Sequence, residues 1–222
     1  MAKLEETSAK KAKTHTVYKN KDGVRIPGTT TIIGVMDKPA LVAWANGLGL
    51  QGIEVGKYVD ALAEIGSLAH LIIEKYLKKE TMNYDDYSPN TVKAAENAVL
   101  KFFHWLESKK DFKVIGSEMV LISEKHQYGG TIDLYCFVDG KYTLIDLKTC
   151  KACYGEHYTQ VAAYRNLLLE NGHPVDDCRV LRIGRDDSEG FDDYSVPKVD
   201  THFKRFLICR ELYECNKELN RK

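Results

Sequence analysis

The strongest constraint on the fold is a pair of short segments joined by Asp139-Gly140. The segments cover residues 130–138 and 141–147 and are rich in β-branched and aromatic side chains, which predicts strands. Asp-Gly favours a two-residue hairpin loop because both central positions of this turn need positive φ. A loop of fixed length also sets the register, so Val138 is predicted to face Lys141.

This register brings acidic and basic side chains together. Counting back from the loop along both strands pairs Asp133 with Asp146. Directly opposed residues share one face of the sheet with β-carbons about 5 Å apart, where like charges are destabilising unless something neutralises them. Lys148 lies two residues beyond Asp146 and therefore on the same face. A divalent cation would offset the facing carboxylates, whereas a surface Asp–Lys ion pair would explain only Lys148.

The hydrophobic pattern divides the rest of the chain into a helical first half and a mixed second half. Apolar residues recur at helical spacing over residues 39–48, 55–73 and 90–106. Further strands are predicted at 114–122, 180–183 and 194–196, with helices at 156–170 and 199–216. We therefore expect an α/β fold: a central mixed β-sheet flanked by helices, with a helical N-terminal half.

Composition excludes several classes of protein. A chain of 222 residues with 44% apolar residues is expected to form a single domain over residues 16–222, after a flexible Lys-rich arm over residues 1–15. The apolar runs fall short of the ~20 residues of a membrane span, and the N-terminus has no signal core. We expect a cytoplasmic protein with no membrane contact. Lys plus Arg equals Asp plus Glu at 32 each, so any nucleic-acid site is a local basic patch.

An acid on one strand, followed by acid-x-Lys on the next, resembles the PD-(D/E)XK nuclease superfamily. Here the pattern reads Asp133, then Asp146-Leu147-Lys148. The resemblance implies a restriction-endonuclease-like core in which Asp133, Asp146 and the backbone carbonyl of Leu147 hold Mg²⁺ or Mn²⁺, with two ions expected. It also implies that Lys148 orients or activates water and stabilises the pentacovalent phosphate.

A second pattern follows the hairpin. Gln160 and Tyr164 are four residues apart on a predicted helix and share one of its faces. This spacing resembles the Gln-x-x-x-Tyr motif of RecB-like and phage exonucleases, which implies that both side chains contact the substrate. Packing in the core is the alternative for Tyr164.

A third pattern precedes the hairpin, where Gly66, His70 and Glu74 form one stripe of a predicted helix. The stripe is similar to the Gly-x-x-x-His-x-x-x-Glu helix of the same branch. It implies that His70 is a metal ligand and that Glu74 is its partner or a catalytic acid. A histidine on an apolar helix is otherwise a packing residue, and that alternative stays open.

Two further residues have less specific signals. Glu118 lies on the predicted strand before the hairpin, where some relatives carry a similar glutamate, and an exposed strand position is its alternative. Residues 29–45 resemble the opening of phage-type exonucleases. Trp44 in that segment could stack on a base or pack in the core with Leu41 and Leu48.

The resemblance spans residues 27–170 and implies a metal-dependent exonuclease that hydrolyses DNA from its ends in phage recombination or DNA processing, beside a single-strand annealing protein. An endonuclease with the same chemistry and a catalytically inactive DNA-binding module are the rival hypotheses. Some relatives hold an iron–sulfur cluster with one cysteine before these motifs and three after. No cysteine precedes Cys136, and Cys150-x-x-Cys153 would need two more ligands, so we expect no cluster.

Overall fold

The computed structural model describes residues 16–220, and the predicted arm over residues 1–15 lies outside them. An α/β domain is built on a central mixed sheet, which confirms the predicted fold class. The helices are α1 Thr29–Ile33, α2 Pro39–Leu50, α3 Val55–Leu77, α4 Pro89–Glu107, α5 Gly155–Glu170 and α6 Val199–Leu219. The strands are β1 Tyr18–Lys19, β2 Arg25–Ile26, β3 Phe112–Ser123, β4 Tyr128–Val138, β5 Lys141–Lys148, β6 Asp177–Ile183 and β7 Phe191–Ser195.

The main sheet has the order β3-β4-β5-β6-β7, while β1 and β2 pair separately as the small hairpin around Asp22-Gly23. Neighbouring strands are antiparallel except for β5 and β6, which are parallel. A parallel pair needs a long crossover, and α5 supplies it. The sequence motifs on β4, β5 and α5 are therefore consecutive in the chain and adjacent in space.

Alternating side chains of the sheet form two cores. On one face, Tyr135 and Leu144 pack with α1, α5 and α6. On the other, Leu134, Ile145 and Leu147 pack with α3 and α4. Because side chains alternate, Asp133 and Asp146 share the face of Tyr135 and Leu144. The alternation thus places Asp146 on the side of α1 and α5, whereas Asp133, at the end of the ladder, reaches His70 of α3 and the Leu147 amide.

The hairpin between β4 and β5 forms as predicted. Asp139 and Gly140 have φ values of 48° and 81°, as the loop requires. The ladder runs from Val138–Lys141 to Leu134–Ile145 in the predicted register and ends there. The predicted backbone pair of Asp133 with Asp146 is not formed. Instead, the Leu147 amide donates to Oδ2 of Asp133 at 2.9 Å, so a carboxylate replaces the next ladder carbonyl.

The structure defines two features near the N-terminus. The three β-branched threonines before Ile32 disfavour a helix, yet residues 29–33 form α1, and the buried Thr29 hydroxyl donates to the Gly129 carbonyl at 3.0 Å. The core alternative for Trp44 is wrong, because α2 has no buried residue and Trp44 is 40% exposed. Its ring lies 6.1 Å from that of Tyr58 on α3.

Within residues 16–220, no helix is both long and apolar enough to cross a bilayer.

Candidate metal centre

Three metal-ligating side chains meet where the β4–β5 ladder ends. His70, Glu118 and Asp133 each place one ligand atom within 4.8 Å of the others. Nδ1 of His70 lies 3.5 Å from Oδ1 of Asp133. Carboxylate oxygens suit Mg²⁺ and Mn²⁺, while an imidazole nitrogen favours a transition ion over Mg²⁺. The chemistry of this group of donors therefore fits Mn²⁺ best.

The backbone of β3 brings Glu118 into this group. Its neighbours Ser117 and Met119 pair with Leu134 and Ile132, which places Glu118 opposite Asp133. Glu118 has a φ of 49°, a left-handed conformation that is uncommon for a residue other than glycine. Such backbone conformations persist where the surrounding structure enforces them, often at functional sites.

His70 and Asp133 are electrostatically coupled. Burial alone would raise the pKa of Asp133, but His70, Lys148 and the Leu147 amide lower the pKa to about 2. Burial likewise disfavours the charged form of His70, and the negative charge of Asp133 outweighs it and raises the pKa of His70. Asp133 is therefore ionised at neutral pH and available to a cation.

Asp146 is a buried carboxylate that lacks hydrogen bonds. It is 1% exposed, and among the described residues neither of its oxygens accepts a well-aligned hydrogen bond. Nζ of Lys148 lies 2.6 Å from Oδ2 as an ion pair. Burial, reinforced by Asp133 and opposed by Lys148, raises the pKa of Asp146 to about 6. A buried carboxylate without hydrogen-bond partners is costly, and a bound cation would remove that cost.

Lys148 lines a small cavity. Burial would lower the pKa of Lys148, but Asp146 and Asp133 raise it, so the ammonium stays charged. The cavity has a volume of about 190 Å³ and is lined by Thr30, Ile33, Gly34, Lys38, Lys148, Glu156, His157 and Gln160. Burial, together with Lys148, lowers the pKa of His157 to about 4 and leaves its imidazole neutral at pH 7. Sequence reasoning missed His157 and Lys38, which carry no motif of their own.

Of the α3 stripe formed by Gly66, His70 and Glu74, only His70 belongs to the group of metal-ligating side chains. A β-carbon at Gly66 would lie 2.7 Å from Oγ1 of Thr149, so glycine allows α3 to approach the end of β5. His70 follows one turn later and reaches Asp133. Glu74 is a further turn away, where its Oε1 pairs with Nζ of Lys78 at 2.5 Å. Glu74 thus lies outside the group formed by His70, Glu118 and Asp133.

Gln160 and Tyr164 lie together on α5, as their spacing predicts. Nε2 of Gln160 donates to the Tyr164 hydroxyl at 2.9 Å. Tyr164 is 6% exposed, and its ring lies against Gly130, where a β-carbon would be 2.7 Å from Cε1. Burial raises the pKa of the Tyr164 hydroxyl well above its usual value. Tyr164 therefore packs in the core, and Gln160 is the member of the pair that lines the cavity beside Lys148.

Comparison with known proteins adds little to this geometry. No family model matches the chain, and no curated protein matches it in sequence. Among solved structures, the one described as "Crystal structure of SSO0001" is 15% identical, and the match covers 68% of this chain and 74% of that chain. Its TM-score of 0.34 is too low to support an argument about function. The function must therefore be argued from the chemistry of the site.

Proposed function

We propose that this chain is a Mg²⁺- or Mn²⁺-dependent DNA exonuclease that hydrolyses phosphodiester bonds from DNA ends. The observation that supports it most is the group of His70, Glu118 and Asp133 donors within 4.8 Å of one another. The unsatisfied carboxylate of Asp146 next to Lys148 supports it further. Most buried polar side-chain atoms in folded proteins have a well-aligned hydrogen bond, so the two Asp146 oxygens favour a bound ion over a purely structural ion pair.

In this proposal each residue of the site has a separate role. A bound divalent ion would supply Lewis acidity toward the phosphate and toward the attacking water. His70, Glu118 and Asp133 would hold the ion, and Asp146, which lies outside that group of three, is proposed as a further ligand. The N–H and C=O groups of a strand residue point to the same side, so the Leu147 carbonyl, on the side where its amide meets Asp133, would be a further ligand.

The ammonium of Lys148 supplies positive charge where the phosphate gains negative charge. Gln160 lines the same cavity as Lys148 and offers its amide to the DNA strand. The assignment to DNA ends, to phage recombination and to a single-strand annealing partner rests on the resemblance of the motifs to phage and RecB-like exonucleases. A cytoplasmic location belongs to the same proposal.

One plasmid tested in two forms separates the exonuclease from its endonuclease rival. Purified protein with Mn²⁺ is expected to degrade linearised plasmid and to leave covalently closed circles intact, because only the linear form offers an end. Gel electrophoresis over a time course measures both reactions. Efficient linearisation of the circle would favour the endonuclease, and no loss of either form would favour a DNA-binding module without catalysis.

His70→Ala distinguishes a metal ligand from a packing residue. We expect the cleavage rate at low Mn²⁺ to fall by about 10- to 100-fold or more, with partial recovery as Mn²⁺ is raised, because one ligand is lost. His126→Ala is a matched control, since the side chain of His126 is 20% exposed, compared with 17% for His70, and it also pairs with a carboxylate. The control is expected to keep wild-type activity. A wild-type rate for His70→Ala at low Mn²⁺, with a lowered melting temperature, would return His70 to the core.

A further inference from the structure

A second cavity lies next to the metal centre, between α3, α4 and the turn from β6 to β7. Its volume is about 320 Å³. Ile65 lines it, and the following residue, Gly66, lies against Thr149, the first residue after Lys148. Lys151, two residues further along, also lines it. The loop that leaves the catalytic strand therefore connects the two sites.

Several hydrogen bonds hold the turn that forms the floor of this cavity. Lys101 on α4 donates to the carbonyls of Gly184 and Asp186, each at 2.7 Å. Arg185 is 9% exposed, and its Nε and amide both donate to Oε2 of Glu189 at 2.9 Å. These contacts fix the turn from β6 to β7 against α4. A cavity with a fixed floor needs little ordering when it binds a ligand.

The walls combine apolar surface with cations. Tyr58, Leu62 and Ile65 line one side, and the Trp44 ring lies 6.1 Å from that of Tyr58 and extends the aromatic surface outward. Lys93 and Lys151 line the cavity and are exposed. Within residues 16–220, neither ammonium has a carboxylate within 4.0 Å. By contrast, Lys38 and Lys148 are ion-paired.

We propose that this cavity binds an unstacked nucleotide of the same DNA strand that is cut at the metal centre. Tyr58 stacks on the base, and Lys93 and Lys151 contact the flanking phosphates. A duplex presents phosphates but keeps its bases stacked, so it would leave the apolar wall unused. The ligand is therefore single-stranded DNA. This inference rests on the proposed function and names the form of its substrate.

Binding of fluorescent oligodeoxythymidylate tests the subsite in the Asp146→Asn background, where no strand is cut. The Lys93→Ala/Lys151→Ala variant is expected to bind about 10-fold more weakly at moderate salt. Its plot of log affinity against log salt should be shallower by about 1.4, because two phosphate contacts are lost at about 0.7 each. Lys110→Ala/Lys141→Ala removes two exposed cations elsewhere and is expected to match the background.

The aromatic contact has its own test. Tyr58→Ala is expected to weaken binding of single strands about 10-fold, whereas Tyr58→Phe keeps the ring and the affinity. Affinity for a blunt duplex should change less than twofold in each of these variants. Equal losses in the two double-lysine variants, or equal losses for duplex and single strand, would overturn the subsite.

The subsite and the proposed function fail in different ways. If the wild type does not hydrolyse DNA with Mn²⁺ but the variants show the expected losses in binding, the proposed function is wrong and the binding site stands. If hydrolysis is intact and Tyr58→Ala and Lys93→Ala/Lys151→Ala bind normally, only the subsite is wrong.

Discussion

Asp133→Asn and Asp146→Asn are each expected to lower the rate of Mn²⁺-dependent DNA cleavage by about 10³-fold or more. Each change removes a negative ligand from the proposed ion, and the lost transition-state stabilisation amounts to about 4 kcal/mol or more. Initial rates on linear DNA measure the effect. Asp22→Asn, an exposed carboxylate on the small N-terminal hairpin, is the matched control and should keep full activity. Hydrolysis at the wild-type rate in either variant would remove the central claim.

The melting temperature of Asp146→Asn shows that its loss of activity is not a loss of folding. The pKa of Asp146 is raised by burial to about 6 from an ordinary 3.8, so the folded protein retains a proton that the unfolded chain releases. Without metal, wild-type stability therefore falls as pH rises from about 4 to 6. The variant has no such group. Its melting temperature in EDTA should therefore change less between pH 4 and pH 7 than that of the wild type.

The pKa of Asp133 is shifted in the opposite direction from that of Asp146. Its pKa is lowered to about 2, mainly by His70 against the effect of burial, so its contribution to stability is present above pH 4 and lost below it. The two carboxylates therefore act in separate pH windows. A difference between Asp146→Asn and wild type that grows below pH 4 instead of above it would contradict this assignment.

Lys148→Met is expected to have the second largest effect, lowering the cleavage rate by about 10²- to 10³-fold, as loss of a donor to a developing charge does. It should also destabilise the metal-free protein by about 3 kcal/mol at pH 7, because Asp146 is left as a buried charge without its partner at 2.6 Å. Denaturant unfolding measures the stability, and single-turnover cleavage measures the rate.

Two further variants complete this test. Lys148→Met/Asp146→Asn removes both charges and should recover most of the lost stability while staying inactive. Lys141 is exposed and lies at the other end of β5, so Lys141→Met should change neither the stability nor the cleavage rate. If the single and double variants are equally destabilised, the ion pair is not the cause, and if Lys148→Met cleaves at the wild-type rate, Lys148 has no catalytic role.

The hairpin that carries Asp133 and Asp146 could be predicted because one short turn fixes its register. Asp139-Gly140 supplies both positive φ values, and every pair from Val138–Lys141 to Leu134–Ile145 follows. The predicted ladder extended one pair too far, to Asp133 and Asp146, because the Leu147 amide donates to the Asp133 side chain and not to a backbone carbonyl. Local turn chemistry determines the register, but it does not say where a ladder stops.

Residues that reach the site from separate parts of the chain were harder to predict. The place of Glu118 depends on the register between β3 and β4, which are joined by a longer loop. His157 lines the cavity because α5 returns across the sheet from the end of β5. The sequence left two places open for Trp44, because apolar spacing shows that a helix has a hydrophobic face and not whether another element covers it.

The left-handed backbone of Glu118 implies a conflict between folding and function at one position. Glycine adopts this conformation freely, whereas a residue with a β-carbon is strained there by about 1 kcal/mol or more. A chain optimised only for stability would therefore place glycine opposite Asp133. The glutamate keeps a carboxylate at that point instead, so a search for stabilising substitutions would select against this proposed ligand.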